Sequence, residues 1–201
     1  QAPTLEELLI SVLNKFPTNV DNKNNLPTSL YSLIDLFLEK LQQFQKRIAD
    51  YGMYNALSQL LIKLTAPGIP DFYQGTELWD LSLVDPDNRR AVNYEQRLKA
   101  LQDIQERWQK QPAALMKMLL KNRTDGRVKL FLMLRGLAAR NYFRNVFRGG
   151  AYRPLTIVGQ QAENVVAFTR HKGEHTVITV VPRFLTELVE PDVLPLGKKV
   201  W

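Results

Sequence analysis

The segment Leu64–Arg90 (LTAPGIPDFYQGTELWDLSLVDPDNRR) places the strongest constraint on what this chain can fold into. It contains three prolines, two glycines and five carboxylates, together with the rings of Tyr73 and Trp79. Proline lacks a backbone N–H donor and glycine is conformationally free, so a run this rich in both is a poor helix. Amphipathic helical patterns flank it on both sides. We therefore predict a loop at the mouth of a scaffold, where functional side chains concentrate.

Apolar side chains recur at spacings of three and four along most of the chain before Gly149, which predicts amphipathic helices. A capping box at Thr4–Glu7 opens the first helix, and a polar, turn-rich loop follows at 17–25. Tyr51-Gly52 is predicted to divide the long pattern before the loop into two helices. The predicted helices are 4–13, 27–50, 53–64, 94–109, 112–120 and 128–147, the last open to an interruption near Gly136.

Residues 69–73 (IPDFY) are short, apolar and aromatic, which favours a buried strand. Because proline cannot donate to a central ladder, this strand should begin close to Pro70. Residues 74–90 would then form the long loop that leaves its carboxyl end.

Gly149-Gly150 marks the clearest boundary, since the period of the pattern changes there from 3.6 to about 2. Segments 156–158, 165–169 and 176–181 are rich in β-formers and separated by turn signals, which predicts a small antiparallel sheet. The fold class is therefore α+β: a mainly helical part over 1–149, followed by antiparallel β structure over 150–201.

Composition narrows the class of function. The net charge is +7, which permits an anionic partner but is equally typical of a cationic protein with none. The absence of cysteine excludes disulfides and thiolate metal sites. The two histidines, His171 and His175, fall in a predicted hairpin rather than on the helix face that i, i+4 metal pairs use.

No apolar run reaches the roughly 20 residues needed to span a bilayer, and no signal peptide is visible. We expect no cofactor, no metal, no membrane partner and a cytoplasmic location.

The two chain ends also carry information. Gln1 is not an initiator methionine, and Trp201 follows an apolar, turn-rich run. We expect the chain to be a piece of a longer protein.

The carboxylates of the loop are candidates for chemistry or for sugar binding. Asp85 and Arg89 lie four residues apart across a turn, so they can point a carboxylate and a guanidinium into one groove, where both would bond vicinal hydroxyls of a sugar. Tyr73 and Trp79 offer apolar ring faces for stacking on a pyranose, although aromatic residues more often belong to a core. The alternative for Asp85 and Asp87 is that they organise the turn 85–88 by bonding their own backbone, and this alternative is stronger for Asp87.

A second candidate is the basic tract 121–153, in which nine Lys or Arg residues accompany a single acidic residue, Asp125. Arg140, Arg144 and Arg148 are spaced by four and would line one helix face, as in a stripe that tracks phosphates. The same spacing also predicts an ordinary solvated helix face. With no nucleic-acid-binding fold in the pattern, we favour the solvated face and expect no nucleic-acid partner.

The central motif is identified by resemblance. APGIPDFYQGTELWD followed by LVDPDNRR resembles the last barrel strand and following loop of the α-amylase superfamily, glycoside hydrolase family 13. Within that superfamily the stretch is similar to the (1→4)-α-D-glucan 1-α-D-glucosylmutases. The similarity continues through DGRVKLFLMLRGL, RGGAYRPL and the AFTRH and VITVVPR strands into PLGKKVW, and the first fifty residues resemble the family less distinctively.

The resemblance implies a fold and an activity. The fold would be the last strand and helices of a (β/α)8 barrel, followed by part of a C-terminal β domain. The activity would be isomerisation of the reducing-end α-1,4 bond of a maltodextrin to an α,α-1,1 bond, by retaining intramolecular transglycosylation that leaves a trehalose end. Asp85 and Arg89 match superfamily residues that bond glucose units on the non-reducing side of the cleavage point. Tyr73, Trp79 and Arg90 are further candidates for the same groove, and Arg90 has the alternative of pairing with Asp87 or Asp80.

The resemblance also implies what is missing. The family's nucleophile, acid/base and transition-state-stabilising carboxylates follow earlier barrel strands, and no match to those motifs exists in this chain. We expect it to be inactive alone, with dimerisation a further possibility through helix faces that include Leu30, Phe37, Leu41 and Leu60. The rival interpretations are another glucanotransferase or hydrolase of the superfamily, and a basic nucleic-acid-binding module.

Overall fold

A computed structural model describes the backbone of residues 28–201 and the side chains from residue 34 onward. The predicted helix at 4–13 and loop at 17–25 lie outside the described residues. The chain divides into two compact units, Gln1–Gln45 and Lys46–Trp201, and the second holds both the loop and the sheet. The helices are α1 (Thr28–Thr65), α2 (Tyr94–Lys110), α3 (Pro112–Lys121), α4 (Arg127–Tyr142) and α5 (Arg144–Gly149), and the strands are β1 (Ala151–Pro154), β2 (Val165–Lys172) and β3 (His175–Pro182).

Helix α1 runs without interruption through Tyr51-Gly52, so the predicted break there is wrong. A glycine inside a helix costs only about 1 kcal/mol relative to alanine. Against this, Tyr51 and Tyr54 are both buried in a cluster with Leu185 and Val189, and the Tyr51 hydroxyl donates to the Val189 carbonyl at 2.7 Å. These tertiary contacts outweigh the local propensity.

The prediction of a strand at residues 69–73 is also wrong for this structure, in which these residues belong to no sheet. Their side chains are unevenly covered, since Ile69 is 95% exposed whereas Phe72 packs against the cluster of Leu60, Leu64 and Met133. A strand exists only by pairing with a neighbour, and the three-stranded sheet lies further along the chain. The segment is therefore an irregular connection after α1.

Helices α2, α3 and α4 enclose the main apolar core, and the periodicity located all three. Asn93 caps α2 by accepting a hydrogen bond from the Gln96 N–H at 2.9 Å, and Pro112 occupies the first turn of α3. The core members are Leu78, Ile104, Leu115, Leu119, Val128, Leu130 and Phe131. Leu78 belongs to the loop. The loop is therefore attached to this core by one of its own side chains.

The helical pattern over 128–147 is interrupted at Phe143, between α4 and α5, and not near Gly136. Gly136 instead allows a close crossing of helices, because a Cβ atom there would lie 2.5 Å from Cδ1 of the fully buried Leu64. The glycine is thus explained by packing against α1 rather than by a break in the helix.

The predicted antiparallel sheet is confirmed in the order β1-β2-β3, with Ala151 opposite His171 and Val166 opposite Val181. Its first strand is Ala151–Pro154, not the predicted 156–158. Residues 156–158 are β-formers without a ladder partner, since the chain leaves the sheet after the Leu155 N–H bonds the Ala167 carbonyl at 3.0 Å.

None of the helices in residues 28–201 is both long and apolar enough to cross a membrane. Over the same residues, His, Asp and Glu side chains form no group of three that could hold a metal ion.

Arg170 on β2 ties the sheet to the helices. Its side chain is buried, at 3% exposure, and its guanidinium donates to the carbonyls of Thr65 and Val146 at 3.4 Å, Phe147 at 3.2 Å and Gly150 at 3.0 Å. These carbonyls stand at the carboxyl ends of α1 and α5, where the helix dipole favours a cation and the last carbonyls lack helical partners.

We predict that Arg170→Gln lowers the free energy of unfolding by about 3 kcal/mol, because buried carbonyls lose a charged donor that they all share. Urea denaturation of the purified chain measures this. The matched control is Arg153→Gln, which removes an exposed arginine from β1 and should change the value by less than about 0.5 kcal/mol. Equal effects of the two substitutions would contradict the role assigned to Arg170.

Candidate functional site

The loop that the sequence singled out is anchored at its start by Arg97 on α2. The Arg97 Nε donates to Glu77 Oε2 at 2.8 Å, and the same guanidinium also donates to the carbonyls of Gly75 and Asn93. Gly75 has a φ of +91°, a conformation that glycine adopts without the steric penalty of a side chain. Arg97 thus fixes the turn that precedes the acidic part of the loop.

A second anchor lies at Leu78-Trp79, against the start of α4. The Trp79 Nε1 donates to the Arg123 carbonyl at 2.7 Å, and Lys129 Nζ donates to the Leu78 carbonyl at 3.1 Å while lying 5.5 Å from the Trp79 ring centroid. Gly126 permits this approach, since a Cβ atom there would be 2.8 Å from the Trp79 backbone nitrogen. The indole is therefore half-buried, and its only donor is in use.

Lys129 is a basic group at this anchor whose pKa is shifted. Burial lowers the pKa of its ammonium from the ordinary lysine value. The negative charges of Asp80 and Glu77 raise the pKa again, whereas the positive charge of Lys63 lowers it further. The positive charge on Lys129 is therefore partly offset by the carboxylates of the loop.

Asp80 is braced by Ser82, whose hydroxyl and backbone N–H both donate to Asp80 Oδ1, the N–H at 3.0 Å. These two hydrogen bonds lower the pKa of the Asp80 carboxyl below its ordinary value, with smaller contributions from Lys129 and Arg97. Asp80 is exposed and stays ionised, so its local role is to hold the turn that leads into the outermost part of the loop.

The outermost turn holds Asp85 and Arg89 together. Arg89 Nη2 donates to Asp85 Oδ2 at 2.6 Å, and the two groups form an ion pair whose side chains are 70% exposed for Arg89 and 57% exposed for Asp85. A carboxylate and a guanidinium are thus presented side by side to solvent at the tip of the loop.

Asp87 has a different position in the same turn. It accepts from the Leu83 backbone N–H at 2.8 Å and forms an ion pair with Arg90. Its side chain is 28% exposed, half the value for Asp85. Asp87 and Arg90 therefore brace the turn on which Asp85 and Arg89 stand.

Tyr73 is separate from this turn and lines a cavity of about 380 Å³ between α1 and α4. The lining includes two lysines, and Lys63 Nζ lies 4.4 Å from the centroid of the Phe72 ring. Tyr73 is 47% exposed, so one part of its ring is accessible. The cavity residues are Ala56, Gln59, Leu60, Lys63, Asp71, Phe72, Tyr73, Thr76, Lys129 and Met133.

The five residues singled out from the sequence therefore fall into four environments. Asp85 and Arg89 are paired at the tip, Arg90 is paired with Asp87 below it, Tyr73 lines the cavity, and Trp79 is packed on the helices. Arg97 and Lys129 were missed, although they orient the loop. Both residues lie inside helical patterns, where a basic residue usually only faces solvent. The sequence pattern therefore did not single them out.

We predict that Ser82→Ala raises the pKa of Asp80 toward the ordinary value, since it removes the hydroxyl donor. Because the folded-state pKa is depressed, this interaction contributes to stability above the unfolded-state pKa and is lost as pH falls through the folded-state pKa. Side-chain carboxyl NMR titration measures the shift. Ser82→Thr, which retains a hydroxyl, is the control, and an unchanged titration in Ser82→Ala would contradict the assignment.

No protein-family model matches the chain. Among curated proteins, the chain is 37% identical over 181 residues to proteins of Mycobacterium tuberculosis strains H37Rv and CDC 1551 that are assigned as maltooligosyl trehalose synthases. The match covers 86% of this chain and 20% of each relative. The chain thus spans about one fifth of the length of the curated relatives.

Solved structures give the same match. A point mutant of the maltooligosyltrehalose synthase from Arthrobacter ramosus is 34% identical with a TM-score of 0.61, over 77% of this chain and 18% of that chain. A second maltooligosyl trehalose synthase structure is 32% identical with a TM-score of 0.60, over 74% of this chain and 18% of that one. The relationship predicted from the sequence is confirmed: this chain is homologous to about one fifth of a maltooligosyl trehalose synthase.

Proposed function

We propose that the chain is the C-terminal piece of an enzyme that isomerises the reducing-end α-1,4 bond of a maltooligosaccharide to an α,α-1,1 bond. The observation that carries this proposal is the 37% identity over 181 residues to maltooligosyl trehalose synthases. That identity extends over 86% of the chain, so it includes far more than the loop motif.

In the complete protein, residues 69–73 would take the place of a barrel strand. These residues pair with no strand here, and on this proposal the neighbouring barrel strands of the complete protein would supply their partners. Ile69, at 95% exposure, is the kind of side chain that a neighbouring element would cover. On this proposal residues 1–149 complete a (β/α)8 barrel, and residues 150–201 are part of the β domain that follows it.

Asp85 and Arg89 would bind glucose units of the substrate. A carboxylate offers about four acceptor positions and a guanidinium five N–H donors, so the pair keeps bonding capacity after the contact with each other. Both side chains are more than half exposed, and Asp87 and Arg90 hold the turn beneath them. Such a pair can accept from one sugar hydroxyl and donate to its neighbour.

Tyr73, Trp79 and Arg90 are the weaker substrate contacts in this proposal. Tyr73 has an accessible ring, whereas the Trp79 indole is half-buried and the Arg90 guanidinium is paired with Asp87. Stacking of a pyranose on Tyr73 requires no rearrangement. The half-buried Trp79 ring offers less area for stacking, and Arg90 has only the N–H donors that its pair with Asp87 leaves free.

The reaction needs a nucleophilic carboxylate, a general acid and exclusion of water while the released glucose turns and attacks. We assign those catalytic groups to a part of the enzyme outside these 201 residues. Related glucanotransferases and hydrolases of the superfamily would release other products, so the α,α-1,1 linkage is the distinguishing result.

We predict that the purified 201-residue chain does not convert maltopentaose, because it lacks the catalytic carboxylates. Chromatographic detection of a non-reducing trehalose end, with loss of reducing sugar as the second readout, tests this. The complete Arthrobacter ramosus enzyme is the positive control. Turnover by the chain alone would show that its own carboxylates are catalytic.

A chimaera tests the roles of Asp85 and Arg89 directly. We predict that the A. ramosus enzyme carrying this chain in place of its matching segment forms trehalose ends, and that Asp85→Asn in the chimaera lowers kcat/KM by about tenfold or more, mainly through KM. Glu106→Gln is the matched control, since Glu106 is an exposed carboxylate on α2 whose one ion pair is long, at 4.0 Å. An Asp85→Asn chimaera with unchanged kinetics would contradict the assignment of Asp85.

A further inference from the structure

Arg123 contacts the loop through its backbone and two other parts of the chain through its side chain. Its carbonyl accepts the hydrogen bond from the Trp79 Nε1 at 2.7 Å. Its guanidinium forms an ion pair with Asp50 on α1, to which the Arg123 Nε donates at 2.8 Å. The guanidinium also donates to Asp192 Oδ1 at 3.1 Å, in the segment that follows the sheet. One residue therefore joins three segments that are far apart in the sequence.

The ion pair of Asp50 and Arg123 is buried, so its geometry is more firmly determined than that of a surface pair. The Asp50 side chain is 7% exposed and the Arg123 side chain is 11% exposed. Asp50 Oδ2 also accepts from the Asp192 backbone N–H at 2.8 Å, so both carboxylate oxygens are engaged. A buried charge that loses its partner is strongly unfavourable, and the pair therefore resists separation.

The turn that carries Arg123 is short. It is the 3-10 helix Arg123–Asp125 between α3 and α4. Its backbone hydrogen bonds run from the Asp125 N–H to the Asn122 carbonyl at 3.0 Å and from the Gly126 N–H to the Arg123 carbonyl at 3.4 Å. A 3-10 helix of this length has few backbone hydrogen bonds, and their geometry is poorer than in an α-helix. The ion pair with α1 therefore contributes to where the Arg123 carbonyl lies.

The outer part of the loop takes its position from its two ends. Across residues 34–201, the hydrogen bonds and ion pairs made by residues 80–90 all stay inside the loop. Trp79 precedes this part, and the Asn93 cap of α2 follows it. A displacement of the Arg123 carbonyl would therefore move Trp79 and, with it, the turn at the loop tip.

We propose that Arg123 is a positioning residue for the loop, acting through its carbonyl on Trp79 and held in place by the buried ion pair with Asp50. A change at Asp50 then reaches the loop, although Asp50 itself forms no hydrogen bond with the loop in the described part of the chain. The consequence for sugar binding by Asp85 and Arg89 rests on the proposed function, whereas the consequence for Trp79 does not.

Hydrogen exchange at the Trp79 indole N–H of the purified chain tests the local part of the proposal. Proton–nitrogen correlation NMR measures the rate, and Trp79→Phe identifies the resonance among the three tryptophans. We expect Asp50→Asn to accelerate exchange at least about tenfold, because it removes the charge that holds Arg123. Arg123→Lys keeps a cation beside Asp50 but not the planar fork, so we expect an intermediate acceleration of about threefold.

Val146→Ala is the matched control for overall stability. Val146 is 1% exposed on α5 and lies outside the apolar core that contains Leu78 and Trp79. Its truncation destabilises the chain, but exchange through a local opening at Trp79 should change less than about twofold. Equal acceleration in Val146→Ala and Asp50→Asn would overturn the proposal, since Trp79 would then respond to stability in general. Unchanged exchange in Asp50→Asn, or in Arg123→Lys where Asp50→Asn does not fold, would overturn it as well.

The chimaera with the A. ramosus enzyme tests the consequence for the substrate. We expect Asp50→Asn in the chimaera to raise KM for maltopentaose about fivefold while kcat changes less than about twofold, because a displaced loop loses binding and the catalytic groups lie elsewhere. Glu106→Gln, which removes an exposed carboxylate from α2, is the charge-matched control and should leave both constants unchanged.

The kinetic outcomes separate the two proposals. An unchanged KM in the Asp50→Asn chimaera, or a fall in kcat alone, would overturn the positioning role toward the substrate. An unsubstituted chimaera that forms no trehalose ends would instead contradict the proposed function. In that case the exchange rate of the Trp79 indole still decides whether Arg123 positions the loop.

Discussion

The buried guanidinium of Arg170 is the contact on which the arrangement of sheet and helices depends. It projects from the middle strand and reaches carbonyl groups at the ends of α1 and α5 and at the start of β1. A buried charge is costly unless hydrogen bonds engage it, and carbonyls at a helix carboxyl end suit the two terminal nitrogens of Arg170 because these carbonyls carry partial negative charge; the buried Arg170 Nε has no partner among the described residues. One side chain thus donates to several backbone carbonyls near the ends of two helices.

The loop begins directly after the Thr65 carbonyl. The contact of that carbonyl with Arg170 therefore also determines where the loop leaves α1. Arg140 extends this arrangement by donating to the Leu64 and Gly68 carbonyls on either side of Thr65. Arg97 then holds the next turn, and Lys129 holds the Leu78 carbonyl. The loop is therefore held by cationic side chains on backbone carbonyls rather than by a sheet ladder, which explains why a segment so poor in secondary structure has a defined course.

This use of positive charge also distinguishes the loop tip from the basic tract. At the loop tip, the carboxylate of Asp85 stands beside Arg89, an arrangement suited to neutral hydroxyl groups. In the basic tract, none of the ion pairs among the described residues involves Arg144 or Arg148. The two regions differ in charge balance. Some arginines donate to backbone carbonyls, whereas others form ion pairs with carboxylates, and this division decides where positive charge is neutralised.

The sequence by itself determined the elements whose signals are local. The periodicity of α2 and α3 and the alternation in β2 and β3 are properties of neighbouring residues, and these elements were predicted to within a few positions. The turn formers of the loop likewise excluded a helix. The spacing of Asp85 and Arg89 predicted that their side chains point to the same side of the turn, whereas their ion pair with each other was not predicted. Only the tertiary structure decided the continuity of α1 through Gly52, the absence of pairing at residues 69–73 and the burial of Trp79. Each of these depends on partners distant in the chain, since a strand needs a neighbour and a helix can absorb a glycine when Tyr51 and Tyr54 are buried on both sides of it.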